Sequence, residues 1–138
     1  MRNELADRLA KRPELMRSLT PRQFEEFVAD LYAGAGFDVE LTPAQSDGGF
    51  DVYARQPAPF GSMVTLIECK QYASHRRVGV EMVRQLAGVV ETEQAHAGVL
   101  ATTATFTSGA QSFAERYKRI ALQDYFNLQD MLMATPRR

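Results

Sequence analysis

Met63-Val64-Thr65-Leu66-Ile67-Glu68-Cys69-Lys70 is the stretch on which the reading of this chain turns. Its apolar and β-branched residues predict a strand, in which successive side chains point to opposite faces. Glu68 and Lys70 then share one face, and Ile67 and Cys69 share the other. The charged pair follows the apolar run Val64 to Ile67 and so lies near the end of a buried strand. An unpartnered charge there would be costly. Cys69 reads as a small buried strand residue that faces away from the pair.

Upstream, Ser46-Asp47-Gly48-Gly49 predicts a turn into a strand from Phe50 to Arg55. Pro57, Pro59 and Gly61 then break the chain, so the two strands should form an antiparallel hairpin joined by a loose loop. A further short strand covers Phe37 to Leu41. Before it, Thr20-Pro21-Arg22-Gln23 supplies a capping hydroxyl, a first-turn proline and a glutamine that can reach back to the cap. Phe24, Phe27, Val28, Leu31 and Tyr32 recur at helical spacing, and Gly34 and Gly36 end the helix. Glu25 lies beside that apolar face, whereas Glu26 lies nearly opposite it and reads as solvated. Residues 1–18 form a helical arm interrupted by Pro13, and residues 19–138 form the main domain.

Downstream, Gly79, Met82, Val83, Leu86, Ala87 and Val90 share one helical face, and Gly98 to Ala101 reads as a strand buried on both faces. Ala110, Phe113, Ala114 and Tyr117 mark another helix, and Ile120 to Leu122 another buried strand. Asn127 is expected to cap a short terminal helix. Antiparallel strands first and helix-crossed strands later predict an α/β fold with a central mixed sheet flanked by helices in three layers.

Several functional classes are disfavoured by composition. The apolar runs are too short for a membrane span and the N-terminus lacks the apolar stretch of a secretory signal, so a cytoplasmic protein is expected. Cys69 is the single cysteine, and His75 and His96 lack ligand spacing, which argues against structural zinc and disulfides. The absence of tryptophan disfavours sugar stacking. Sixteen basic residues against 17 acidic ones leave a net charge of −1, so affinity for nucleic acid would need a local basic patch or a partner. His75, Arg76 and Arg77 form one candidate patch, and Arg116, Lys118 and Arg119 a second, though such runs also occur as plain solvated faces.

The hairpin brings Asp51 beside Glu68. Two carboxylates that converge in a cleft repel unless a cation or proton lies between them. Hard oxygen ligands from two carboxylates, with water and phosphate completing the shell, describe the usual binding of Mg²⁺. Asp51 and Glu68 are therefore candidate metal ligands. Lys70 could orient an attacking water or offset charge on a phosphorane-like transition state. Together these groups fit phosphodiester hydrolysis.

On these residues a family resemblance rests. Phe24-Glu25, Gly36-Phe37, Asp47-Gly48-Gly49-Phe50-Asp51 and Glu68-Cys69-Lys70-Gln71-Tyr72, followed by Val78-Gly79, Leu86-Ala87-Gly88 and Thr102 to Thr107, resemble the ordered motifs of the Mrr-type restriction endonuclease catalytic domain. That family belongs to the PD-(D/E)XK nuclease superfamily, and the resemblance spans residues 19 to 133. It implies a restriction-endonuclease-like fold and a metal-dependent endonuclease that hydrolyses DNA in restriction or defence, using Mg²⁺ with Mn²⁺ as a substitute. Asp51, Glu68 and Lys70 match the superfamily's Asp, Glu and Lys, and Glu25 matches the acidic residue that related nucleases often supply from the preceding helix. Gln71 is a further catalytic candidate, while Tyr72, which could equally close the core, joins His75, Arg76 and Arg77 as candidate DNA contacts.

In two positions this chain departs from the pattern. Phe50 replaces the proline that names the superfamily, and Glu68 stands where Mrr-like sequences often carry Gln, a change that favours binding of a hard cation. The implied partner is DNA, together with a second copy of the chain or a separate DNA-reading domain. A structure-specific nuclease of the Holliday-junction-resolvase kind shares this fold and metal chemistry; a catalytically quiet DNA-binding module on the same fold fits the near-neutral charge, but the retention of Asp51, Glu68 and Lys70 together argues against it.

Overall fold

The computed structural model describes residues 4–43 and 48–134. Helix α1 (Glu4–Lys11) and a 3-10 turn (Pro13–Ser18) lead into α2 (Pro21–Gly34). Strands β1 (Asp38–Leu41), β2 (Val52–Ala58) and β3 (Gly61–Lys70) follow, then the two-residue strand β4 (Arg77–Val78) and α3 (Val80–Thr92). The chain closes with β5 (Ala97–Thr102), the short β6 (Thr105–Phe106), α4 (Ser108–Arg116), β7 (Ile120–Gln123) and α5 (Tyr125–Ala134). Five strands form one mixed sheet in the order β1-β2-β3-β5-β7, and β4 pairs with β6 beside it. Strands β1, β2 and β3 are antiparallel neighbours, while β5 joins β3 and β7 in parallel. Among the described residues no helix is long and apolar enough to cross a membrane.

Alternation along the strands divides the core in two. Val52, Ala54, Ile67, Val99 and Ala101 meet Phe24, Phe27, Val28 and Leu31 of α2 and Leu128 and Leu132 of α5. Leu66, Leu100 and Ile120 point to the other face, against Val83, Leu86 and Val90 of α3 and Ala110 of α4. Strand β3 is therefore covered on both sides over Thr65–Ile67, as its apolar run predicts. Leu9 of α1 and Met16 of the 3-10 turn are fully buried in the α2 layer, so the N-terminal arm is packed into the same core.

Thr20 caps α2 through the reciprocal pair anticipated from sequence: its hydroxyl accepts from the Gln23 N–H at 3.1 Å and its own N–H donates to Gln23 Oε1 at 2.9 Å. The terminal helix needs a correction. Asp124 caps it, accepting from the Asn127 N–H at 2.9 Å, and Asn127 is the residue that reaches back to the Asp124 N–H. The loose loop expected at Pro57 to Gly61 is in fact a tight hairpin, because Ala58 pairs with Gly61 and only Pro59 and Phe60 lie between them. Pro57 is tolerated inside β2 because β1 ends its pairing at Arg55, so the missing N–H faces no partner strand on that side.

Gly49 carries a φ of +84°, and a Cβ there would stand 2.7 Å from Val89 Cγ2 of α3. Both the left-handed backbone and the stiff β-branched neighbour resist a side chain. Gly49→Ala is expected to lower stability by about 1–3 kcal/mol. Urea unfolding midpoints check this, and an unchanged midpoint would show that the approach to Val89 is slack.

Candidate active site

The main chain at Asp51 is held from both sides. Its N–H donates to the Ile67 carbonyl at 2.7 Å, and its carbonyl accepts from the Thr42 N–H at 2.9 Å. The Thr42 hydroxyl adds bonds to the Phe50 and Asp51 carbonyls at 3.2 and 3.3 Å. Extending the hairpin register beyond Val52 opposite Ile67 sets Asp51 against Glu68. The Asp51 carboxylate accepts the Cys69 N–H at 2.7 Å, which locks its orientation to the end of β3. Cys69 itself packs into the α2 layer, and burial followed by the surrounding carboxylates drives its thiol pKa well up, so the sulfur stays a neutral thiol.

Glu68 and Lys70 project from the same face of β3, with Lys70 Nζ 3.0 Å from Glu68 Oε2. The pair is only partly exposed, 32% for Lys70 and 19% for Glu68, so it stands at the rim of the core. Burial pulls the Lys70 pKa down, but its hydrogen bond and charge interaction with Glu68 outweigh this and raise it, so the ammonium stays charged. Glu25 approaches from α2, and Glu26 is exposed, as the helical phase predicts. Arg22 Nη1 donates to Glu25 Oε1 and to the Thr42 carbonyl, both at 2.9 Å.

Burial raises the Asp51 pKa to about 6, and the neighbouring Glu68 adds to the rise against the Cys69 N–H, which opposes it. Burial likewise raises Glu25, helped by Asp51 and opposed by Arg22. Among the described residues no three His, Cys, Asp or Glu side chains form a complete cation cage. The donor set nonetheless suits a hard divalent ion, because Asp51 and Glu68 are carboxylates whose mutual repulsion a cation would relieve, and water and phosphate ordinarily fill the remaining positions. These two residues would hold it.

A pH dependence follows for the metal-free protein. The folded pKa of Asp51, about 6, lies above its ordinary 3.8, so the folded state takes up the proton first as pH falls. Asp51 therefore weakens the fold above pH 6, and this penalty disappears as pH drops from 6 towards 3.8. Asp51→Asn is expected to be more stable than the parent at pH 7, with the gap narrowing at pH 5. Urea midpoints of both proteins in EDTA at the two pH values check this, and a gap that stays constant would refute the burial argument.

The other residues singled out by sequence have diverse surroundings. Gln71 turns its amide nitrogen to the Leu19 carbonyl and, at 3.5 Å, to that of Met16, tying the end of β3 to the entry of α2. Tyr72 packs against the α3 layer, its hydroxyl 3.5 Å from Met82 Sδ, and the Arg76 guanidinium lies 3.9 Å above its ring. His75, Arg76 and Arg77 are exposed on the segment that leaves β3. In the second basic cluster, Arg119 is committed to Glu91 at 2.7 Å and to the Ala95 and His96 carbonyls. Asp47 lies outside the described residues.

Three supporting residues have a part in the site that the sequence reading assigns to none of them: Arg22, Thr42 and Thr103. The Thr103 hydroxyl is fully buried, accepts the Tyr72 N–H at 2.9 Å and donates to the Tyr72 carbonyl at 2.7 Å, fastening the chain just beyond Lys70. Only the spacing of Arg22 to Glu25, one helical turn apart, hints at any of these links from sequence.

The restriction endonuclease family model Mrr_cat matches residues 16–132. The uncharacterized protein y4cE of Sinorhizobium fredii (strain NBRC 101917 / NGR234) is 34% identical over 106 residues, which cover 77% of this chain and 27% of that protein. Among solved structures, the DNA modification-dependent restriction endonuclease AspBHI superposes with a TM-score of 0.71 at 21% identity, over 96% of this chain and 36% of AspBHI. The MspJI restriction endonuclease, solved with a 27-mer oligonucleotide, superposes with a TM-score of 0.57 at 21% identity, over 93% of this chain and 29% of MspJI. This chain thus spans little more than a quarter of its curated relative and about a third of these two structures. The mixed sheet, its helical layers and the match over most of the chain agree, and the protein belongs to the restriction endonuclease family.

Proposed function

We propose that this chain is the catalytic domain of a metal-dependent DNA endonuclease that serves in restriction or defence against foreign DNA in the cytoplasm. The observation that carries the reading is the open end of the β2–β3 hairpin, where a half-buried Asp51 with a pKa of about 6, just before β2, faces Glu68 near the end of β3, and Lys70 stands 3.0 Å from Glu68. Mg²⁺ or Mn²⁺ held by Asp51 and Glu68 would neutralise charge on the scissile phosphate. Lys70 presents a compact ammonium where negative charge develops as water adds to phosphorus and a backbone P–O bond breaks. Glu25 adds an acceptor beside Asp51 that can order water. Gln71 and Thr103 act on the chemistry through position: the Gln71 side chain ties the end of β3 to the Leu19 carbonyl, and Thr103 fastens the Tyr72 main chain just beyond Lys70.

Purified chain incubated with supercoiled plasmid in Mg²⁺ or Mn²⁺, with EDTA as control, tests the proposal. Metal-dependent nicking or linearisation supports it. DNA binding with no cleavage under any divalent cation would instead identify a catalytically quiet module.

Contact with DNA is assigned to His75, Arg76 and Arg77, which are exposed next to the end of β3, with Tyr72 as the platform under Arg76. A chain of net charge −1 has little general attraction for phosphate, so affinity should be weak and steeply dependent on salt, and a second copy or a DNA-reading domain would have to supply the remainder. Arg76→Ala with Arg77→Ala is expected to flatten the slope of log K against log salt by about 1–2. Fluorescence anisotropy on random duplex across a salt series is the check, and an unchanged slope would place the DNA surface elsewhere.

A further inference from the structure

We infer that Arg22 serves as a built-in second cation, which confines the site to one divalent ion by occupying the charge that Glu25 would otherwise offer to another. The inference rests on the proposed metal-binding role of Asp51 and Glu68. Three carboxylates, Glu25, Asp51 and Glu68, are opposed by two fixed positive groups, Arg22 and Lys70, each paired with one of them. That leaves one net negative charge, centred on Asp51. One divalent ion reverses it, and a second would face an excess of positive charge before any phosphate arrived.

Geometry separates Arg22 from an ordinary surface ion pair. Glu81 and Arg84 on α3 show the ordinary kind: the same helical spacing at 3.2 Å, with both side chains more than half exposed. Such pairs contribute little. Glu25 is only 18% exposed, and Arg22 is fixed by a third group, the Thr42 carbonyl, on the segment that also holds the Asp51 main chain. The guanidinium therefore ties α2 to the end of β1 at Thr42, the residue that in turn holds the Asp51 main chain. A cation between Glu25 and Asp51 would have to compete with that charge for the same carboxylate.

Mn²⁺ titration of the full chain without DNA, read by the electron paramagnetic resonance of the free ion and by calorimetry, tests this. The parent is expected to bind one Mn²⁺ per chain, and Asp51→Asn to bind none. Arg22→Gln frees Glu25 and should bind two, the second being lost again in Arg22→Gln with Glu25→Gln. Arg22→Lys keeps the charge and should stay at one. Two ions in the parent, or one in a folded Arg22→Gln, would overturn the inference while leaving the metal site intact. If Arg22→Gln does not fold, Glu25→Gln decides: retention of one ion is expected, and loss of that ion would show Glu25 to be a ligand and refute the role given to Arg22. Failure of the parent to bind any ion, or undiminished binding by Asp51→Asn, would refute the proposed metal site and this inference with it.

Discussion

Asp51→Asn is expected to reduce metal-dependent DNA cleavage by on the order of 10³-fold or more, with the fold intact. The substitution removes the charge that a cation would need, yet leaves an amide oxygen to accept the Cys69 N–H that now bonds the carboxylate at 2.7 Å. Alanine is the less informative choice, since it strands that N–H at a cost of about 1–3 kcal/mol. Glu68→Gln should lose cleavage on the same scale, since it removes the negative charge that now pairs with Lys70 at 3.0 Å while leaving an amide oxygen as acceptor. Single-turnover cleavage rates alongside Mn²⁺ affinity provide the measurement. Cleavage by Asp51→Asn within tenfold of the parent, or undiminished metal binding in both variants, would eliminate the site as assigned.

Lys70→Arg should be nearly as damaging, with a loss on the order of 10²- to 10³-fold in cleavage and little change in melting temperature. Arginine keeps the charge, but its guanidinium is broader and donates in a fixed fork, so it cannot occupy the point held by the ammonium beside Glu68. The competing explanation is that the pair merely fastens the end of a strand. A partly exposed ion pair of this kind contributes at most about 1 kcal/mol, and arginine would serve that purpose equally well. Measuring Lys70→Arg and Lys70→Ala together separates the two accounts. Parental cleavage by Lys70→Arg would mean that the charge is structural and that the catalytic cation must be sought elsewhere.

The parts of this fold visible in sequence are those set by local pattern. The strand at Met63 to Lys70 declares its two faces through alternation, and the Thr20 and Gln23 cap announces the start of α2 because both partners lie within one turn. The hairpin turn is less legible, because Pro57 reads as a break, and only the end of β1 pairing at Arg55 makes it compatible with a strand. At the terminal helix, Asp124 and Asn127 exchange reciprocal bonds, so either could be taken for the cap from spacing alone. Strands β4 and β6 are two residues each and carry no periodicity to detect. In the candidate site, Asp51, Glu68 and Lys70 are legible because one hairpin supplies all three. The Thr42 bridge to Arg22 and the Thr103 fastening of Tyr72 join segments 20 or more residues apart, and nothing local encodes such contacts.

The bond from the Cys69 N–H to Asp51 has a consequence for how such sites diverge. The group that orients the aspartate is an amide, which nineteen of the amino acids would supply equally, and proline alone would withhold. The side chain at 69 answers to a separate demand, since it fills space beneath α2. Its identity is thus free to drift among small apolar residues without disturbing the carboxylate, and the sulfur of this chain is one solution among several. Between the glutamate and the lysine, the informative feature is a peptide link held in register, and a comparison of letters at that column would miss it.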